Sequence, residues 1–113
     1  MNEAKVEFLQ DALNDLEELI EFIAQDSVSA AKKMQAQVMK KIGELQQFPR
    51  RGMPAPEPKM KEAGWRMLFI SPYVAFYRII ENKVLIYRIF HGASNYPMLY
   101  SQMVDKSKKS NNS

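Results

Sequence analysis

The chain has 113 residues, no cysteine, one histidine and a formal charge of +3. That length suits one domain with its own core, and the composition excludes a disulfide framework, a zinc–thiolate centre, a cysteine nucleophile and any two-histidine metal site. The opening MNEAKVEFLQDALNDLEEL is too acidic for a signal peptide. No apolar run approaches the roughly 20 residues of a transmembrane helix, so a cytoplasmic protein with no membrane partner is expected.

Val6 and Phe8 lie in a short stretch expected to form an edge strand. From about Asp11 the pattern turns helical. Leu9, Leu13, Leu16, Ile20 and Ile23 recur at spacings of four and three, which predicts one apolar face. Asp26-Ser27 interrupts the pattern, and Ser27 or Ser29 is the expected N-cap of a second helix. Its stripe is Ala31, Met34, Val38, Ile42 and Leu45, with Lys32-Lys33 and Lys40-Lys41 outside it. Phe48-Pro49 is expected to stop it, because a residue before proline avoids the helical region. The two helices read as an antiparallel hairpin.

Residues 49–64, PRRGMPAPEPKMKEAG, hold four prolines and two glycines and predict an irregular loop. Three strand-like runs follow: Trp65–Ile70, Tyr73–Ile80 and Val84–Phe90. Ser71-Pro72 and Glu81-Asn82-Lys83 separate them, so the three are antiparallel neighbours. A polar, basic tail, residues 101–113, is expected to be disordered, leaving residues 1–100 as a single domain. The expected architecture is α+β: an N-terminal helical hairpin on one face of a small antiparallel sheet, with the other face open for binding.

Charge is unevenly distributed. Residues 1–30 hold one base and eight acids, a net of −7, and residues 31–113 hold 15 bases and five acids, a net of +10. A basic body behind an acidic helix suits either a polyanionic partner or plain solvated faces. Neither a phosphate-cradling glycine loop nor a serine elbow is present. The acids cluster on the first helix rather than in a paired-carboxylate cleft. The eight methionines scatter, which reads as adaptable packing rather than a metal box. No cofactor or metal is expected. What remains is Arg66, Arg78 and Arg88 in the strands, with His91 just beyond them in YRIFHGASNYP. Such residues offset phosphate charge and move protons if a pKa is shifted. Alternatively, each arginine pairs with an acid or lays its stem across an aromatic.

The opening VEFLQDALNDLEELIEFIAQDS, then LQQFPRRGMP, then SPYVAFYRIIENKVLIYRIFHGAS follow an order and spacing that resemble the RelE/ParE superfamily of bacterial type II toxin–antitoxin systems. The resemblance covers about residues 4 to 97 and implies a β-α-α-β-β-β fold. RelE-like members cut mRNA on the ribosome; ParE-like members poison DNA gyrase. The lysine positions of the RelE-type site, counted back from Tyr73, hold Trp65 and Met67 here. The arginine after that tyrosine is replaced by Val74, and the arginine two residues past Gly92 by Ser94. Tryptophan, methionine and valine neither carry protons nor offset developing phosphate charge. A C-terminal tyrosine corresponds to Tyr96 or Tyr100. The RIFHGAS ending is similar to the His-Gly-Ala-Arg ending of the ParE branch, apart from Ser94.

The resemblance therefore implies a ParE-like gyrase inhibitor, assembled into a hetero-oligomer with a cognate antitoxin that neutralises it. Arg66, Arg78, Arg88, His91 and Ser94 are the target-contact candidates. A RelE-like nuclease acting on ribosome and mRNA is the alternative, with Arg66, Arg78, Arg88, His91 and Tyr100 as its catalytic candidates. A third reading is a non-toxic remnant that only binds antitoxin.

Overall fold

The computed structural model describes residues 3–92. Ser94, Tyr96, Tyr100 and the basic tail lie outside the described residues.

Strand β1 (Lys5–Phe8) leads into helix α1 (Gln10–Asp26), and Ser27 alone separates α1 from helix α2 (Val28–Gly43). Ser27 is the cap: its hydroxyl accepts the Ala30 N–H at 3.0 Å. The α2 stripe holds as expected. Ala31, Val38, Ile42 and Leu45 are buried, and Met34 packs against them. The α-helix ends earlier than the proline signal predicts, at Gly43, and a 3-10 turn over Glu44–Gln46 carries the chain on towards Pro49.

The face of α1 is met in part: Leu16, Ile20 and Ile23 pack against the core as expected. Ala12 and Leu19 are its buried residues, while Leu13 is 42% exposed, so the face is centred nearer Ala12 and Leu19 than the large side chains alone predict. At Ala12 a small residue lets the helix approach the sheet, and alanine carries little weight in a hydrophobic count.

The proline-rich segment is not wholly irregular. It contains a two-residue strand β2 (Met53–Pro54) and a short helix α3 (Pro58–Glu62). Both tolerate proline for local reasons. Pro54 sits on an edge strand, and Pro58 occupies the first turn of a helix, where its missing N–H costs nothing. Glu57 caps α3 by accepting the Met60 N–H at 2.9 Å. At the other end Gly64 takes φ +87°, and the Gly64 and Trp65 N–H groups donate to the Lys61 and Met60 carbonyls. This is a Schellman stop, which needs the left-handed residue that glycine supplies.

Strands β3 (Arg66–Ile70), β4 (Tyr73–Ile80) and β5 (Lys83–His91) are antiparallel neighbours, as predicted. The five-stranded sheet has the order β1-β5-β4-β3-β2. β1 is an edge strand, and it pairs parallel to β5 over Lys83–Ile86. The hairpin and one sheet face enclose the main core, with Leu68, Ile70, Ala75, Tyr77, Val84, Ile86 and Ile89 from the strands.

The second face is not open as expected. Trp65, Met67, Val74, Phe76 and Phe90 form a second apolar cluster there, closed by Ala55 and Met60 and flanked by Tyr87. Trp65 and Tyr87 meet edge to face at 4.5 Å. A bulge between Phe76 and Tyr77 in the β4–β5 register sets Arg88 opposite Phe76.

Candidate functional site

The three strand arginines do not form one face. Arg66 lies opposite Tyr77, on the side of the sheet that packs the hairpin, whereas Phe76, the partner of Arg88, belongs to the outer cluster. Arg78 lays its guanidinium over the Trp65 ring, 5.5 Å from the centroid. Arg88 meets an acid and an aromatic and Arg78 an aromatic, whereas Arg66 meets neither among the described residues.

Arg88 and Asp15 make the tightest polar corner. Arg88 Nε donates to Asp15 Oδ2 at 2.7 Å and Nη2 to Oδ1 at 3.0 Å. Asp15 Oδ2 also accepts the Ile89 backbone N–H at 2.9 Å. One carboxylate therefore satisfies a guanidinium and a strand edge, past the point where β1 stops pairing. The Asp15 hydrogen bonds push the Arg88 pKa up, against the lowering effect of burial. Arg88 stays charged at every working pH. Its guanidinium also lies 4.6 Å from the Phe90 centroid, so it ties the acidic helix to the outer cluster.

Arg66 and Tyr77 make a second corner. The Tyr77 ring is fully buried; its hydroxyl donates to the Pro49 carbonyl at 2.8 Å and accepts the Gly52 N–H at 3.0 Å. Arg66 Nη2 donates to the Arg50 and Gly52 carbonyls. Two neighbouring strand residues thus hold the turn 49–52. Gly52 is required there, because a Cβ would stand 2.6 Å from both the Met67 carbonyl oxygen and the Tyr77 hydroxyl. Arg66 Nε is buried without a hydrogen-bond partner among the described residues. Arg50 and Arg51 are exposed on this turn, and Arg51 pairs with Glu44 and covers the Phe48 ring. Glycine after two arginines was the available sequence signal for this corner; the partner Tyr77, 25 residues on, had none.

His91 is exposed at the end of β5, opposite Tyr73, and the two rings meet edge to face at 5.6 Å. Gly92 N–H closes the strand end onto the Pro72 carbonyl at 2.7 Å. Trp65, Met67 and Val74, at the positions expected to hold RelE-type basic residues, are 5%, 4% and 0% exposed. They are packing residues of the outer cluster. Among the described residues no group of three histidines, cysteines or acids has metal-binding geometry, and no helix is long and apolar enough to cross a membrane.

A hairpin laid on one face of a β3-β4-β5 meander, with β1 added in parallel, is the architecture of RelE/ParE-like toxins. The family model for the ParE toxin of the type II toxin–antitoxin system parDE matches residues 6–96, and the chain belongs to that family. Among solved structures, the chromosomal ParDE toxin–antitoxin system of P. aeruginosa has a chain similar to this one. The TM-score is 0.65 at 22% identity, over 78% of this chain and 95% of that one. A chain of the RelBE2 toxin–antitoxin complex of Mycobacterium tuberculosis is similar at a TM-score of 0.57 and 26% identity, over 79% of this chain and 98% of that one. No curated protein sequence matches this chain.

Proposed function

We propose that this ParE-family toxin inhibits DNA gyrase by binding it, and that a cognate antitoxin neutralises it within a hetero-oligomer. The observation that carries this reading is the sealed outer cluster. Where a nuclease of this superfamily would place its basic residues, this chain places Trp65, Met67 and Val74 out of reach of solvent. No proton can be passed by those side chains. The reading makes His91, Ser94 and Arg78 target-contact residues, and Arg66 and Arg88 the residues that hold the contact surfaces in shape. Action on gyrase places the protein in the cytoplasm.

The test is the order of events after induction without antitoxin. Gyrase inhibition predicts that thymidine incorporation falls before amino-acid incorporation. The reverse order contradicts the proposal and favours mRNA cleavage. Normal growth with the folded protein present supports an antitoxin-binding remnant.

A further inference from the structure

β1 forms one border of the sheet and pairs with β5 alone. The Lys5 N–H donates to the Asn82 carbonyl and the Leu9 N–H to the Ile86 carbonyl, each at 2.9 Å. In a parallel ladder alternate residues turn both backbone groups to the same neighbour. Lys5 and Glu7 therefore face β5, and Val6 and Phe8 turn their N–H and C=O groups to the open side. Among the described residues no strand pairs with that side. Proline and bulge, two common guards of a border strand, are absent from β1. The Ala4 N–H donates to the Gln46 carbonyl at 2.8 Å, so the 3-10 turn closes the border just before the strand. Val6 and Phe8 are half-buried and pack against the core on the hairpin face. Lys5 and Glu7 alternate with them and lie on the outer face. Glu7 reaches Lys83 only at 3.7 Å, across two half-exposed side chains, which leaves its carboxylate able to meet a second cation.

The order Lys5-Val6-Glu7 is its own complement. We propose that β1 pairs antiparallel with β1 of a second copy of this chain, centred on Val6. Val6 then exchanges both backbone hydrogen bonds with the partner's Val6. Lys5 stands against the partner's Glu7, and Glu7 against the partner's Lys5. These flanking pairs fall on the non-hydrogen-bonded positions, where opposed side chains stand closest. Apolar meets apolar on the hairpin face, and acid meets base on the outer face. A register centred on Glu7 would set two carboxylates against each other. A uniformly acidic or basic strand from another protein would match one of the two charges and oppose the other, so charge selects a second copy. The helices do not obstruct it. Asp15 already reaches Ile89, beyond the end of β1, so α1 climbs away from the pairing and the two acidic helices leave in opposite directions. The two five-stranded sheets become one, with both hairpins on one face and the two His91 strand ends far apart. Three residues on each side make a small interface, so a dissociation constant on the order of 100 µM is expected. Within a hetero-oligomer that holds two toxin chains, an effective concentration of about 1 mM would close the pair.

Sedimentation velocity of the isotope-labelled full chain is run from about 5 µM to about 1 mM, with amide spectra of the same samples. A dimer that grows with concentration, and amide shifts centred on Val6 and Phe8, are expected. A monomer at every concentration, or a dimer whose shifts lie elsewhere, overturns the proposal. In the dilute chain the Val6 and Phe8 amides are expected to exchange freely with solvent. Slow exchange there assigns the border to the chain's own remaining residues and also overturns it. The charge order has its own test. Lys5→Glu and Glu7→Lys each set like charges opposite one another in a pair of identical chains. Each is expected to weaken the dimer about tenfold, with a thermal melt close to the parent's. Mixed in equal amounts, the two variants set opposite charges against each other at both flanking positions, and a dimer of about the parent's strength is expected to return. A mixture that stays monomeric, or single variants that pair as well as the parent, overturns the proposal.

Discussion

Two corners of this molecule are built around a strand arginine, and they end in opposite electrostatic states. At the first, Asp15 meets Arg88 with two hydrogen bonds and takes a third from Ile89, so the charge is cancelled inside the fold. At the second, Arg66 gives its hydrogen bonds to the Arg50 and Gly52 carbonyls, with no acid against it among the described residues. The first corner staples α1 to the sheet. The second sets a turn carrying Arg50 and Arg51 beside an incompletely paired strand edge. Both arginines hold the fold in shape, but among the described residues only the first meets an acid.

The comparison breaks most sharply at Asp15. Asp15→Ala leaves a part-buried guanidinium and a strand N–H without their acceptor, and is expected to cost about 3 kcal/mol in chemical denaturation. Gly52→Ala comes next. The new methyl group collides with Met67 and Tyr77, so about 2 kcal/mol of stability and the shape of the turn are expected to be lost together. Arg66→Met keeps the stem and removes the charge. It is expected to stay within about 1 kcal/mol of the parent in stability and yet to bind antitoxin about tenfold more weakly. If Arg88→Met, which breaks the cancelled pair, changes affinity more than Arg66→Met does, the division between the two corners is wrong. Gly64→Ala gives the smallest effect, about 1 kcal/mol for forcing a side chain into φ +87° at the end of α3. Circular dichroism melts would measure it.

Periodic elements were readable in the sequence and long-range polar contacts were not. The α2 stripe and the three-strand meander follow from spacing and turn chemistry alone. The α1 face holds at Leu16, Ile20 and Ile23 and departs at its start, where Leu13 and Ala12 exchange the roles their size suggests. A count of prolines predicts a loop over residues 49–64, but Pro58 at a helix start is a different signal from proline inside a helix. The arginine row failed for another reason. Arg66 pairs with Tyr77, which puts it on the face opposite to Arg78, and no local signal sets that register; the bulge near Phe76 and Tyr77, which sets Arg88 opposite Phe76, has no marker such as glycine or proline. Asp15 and Arg88 stand 73 residues apart, so nothing local announces their pairing.

The central claim is that this scaffold acts by docking on gyrase rather than by proton transfer on RNA. Purified gyrase, ATP and plasmid with the folded protein test it directly. The account predicts lost supercoiling with linearised plasmid trapped on the enzyme. Unaffected gyrase, together with cleavage of mRNA on ribosomes by the same preparation, would contradict it.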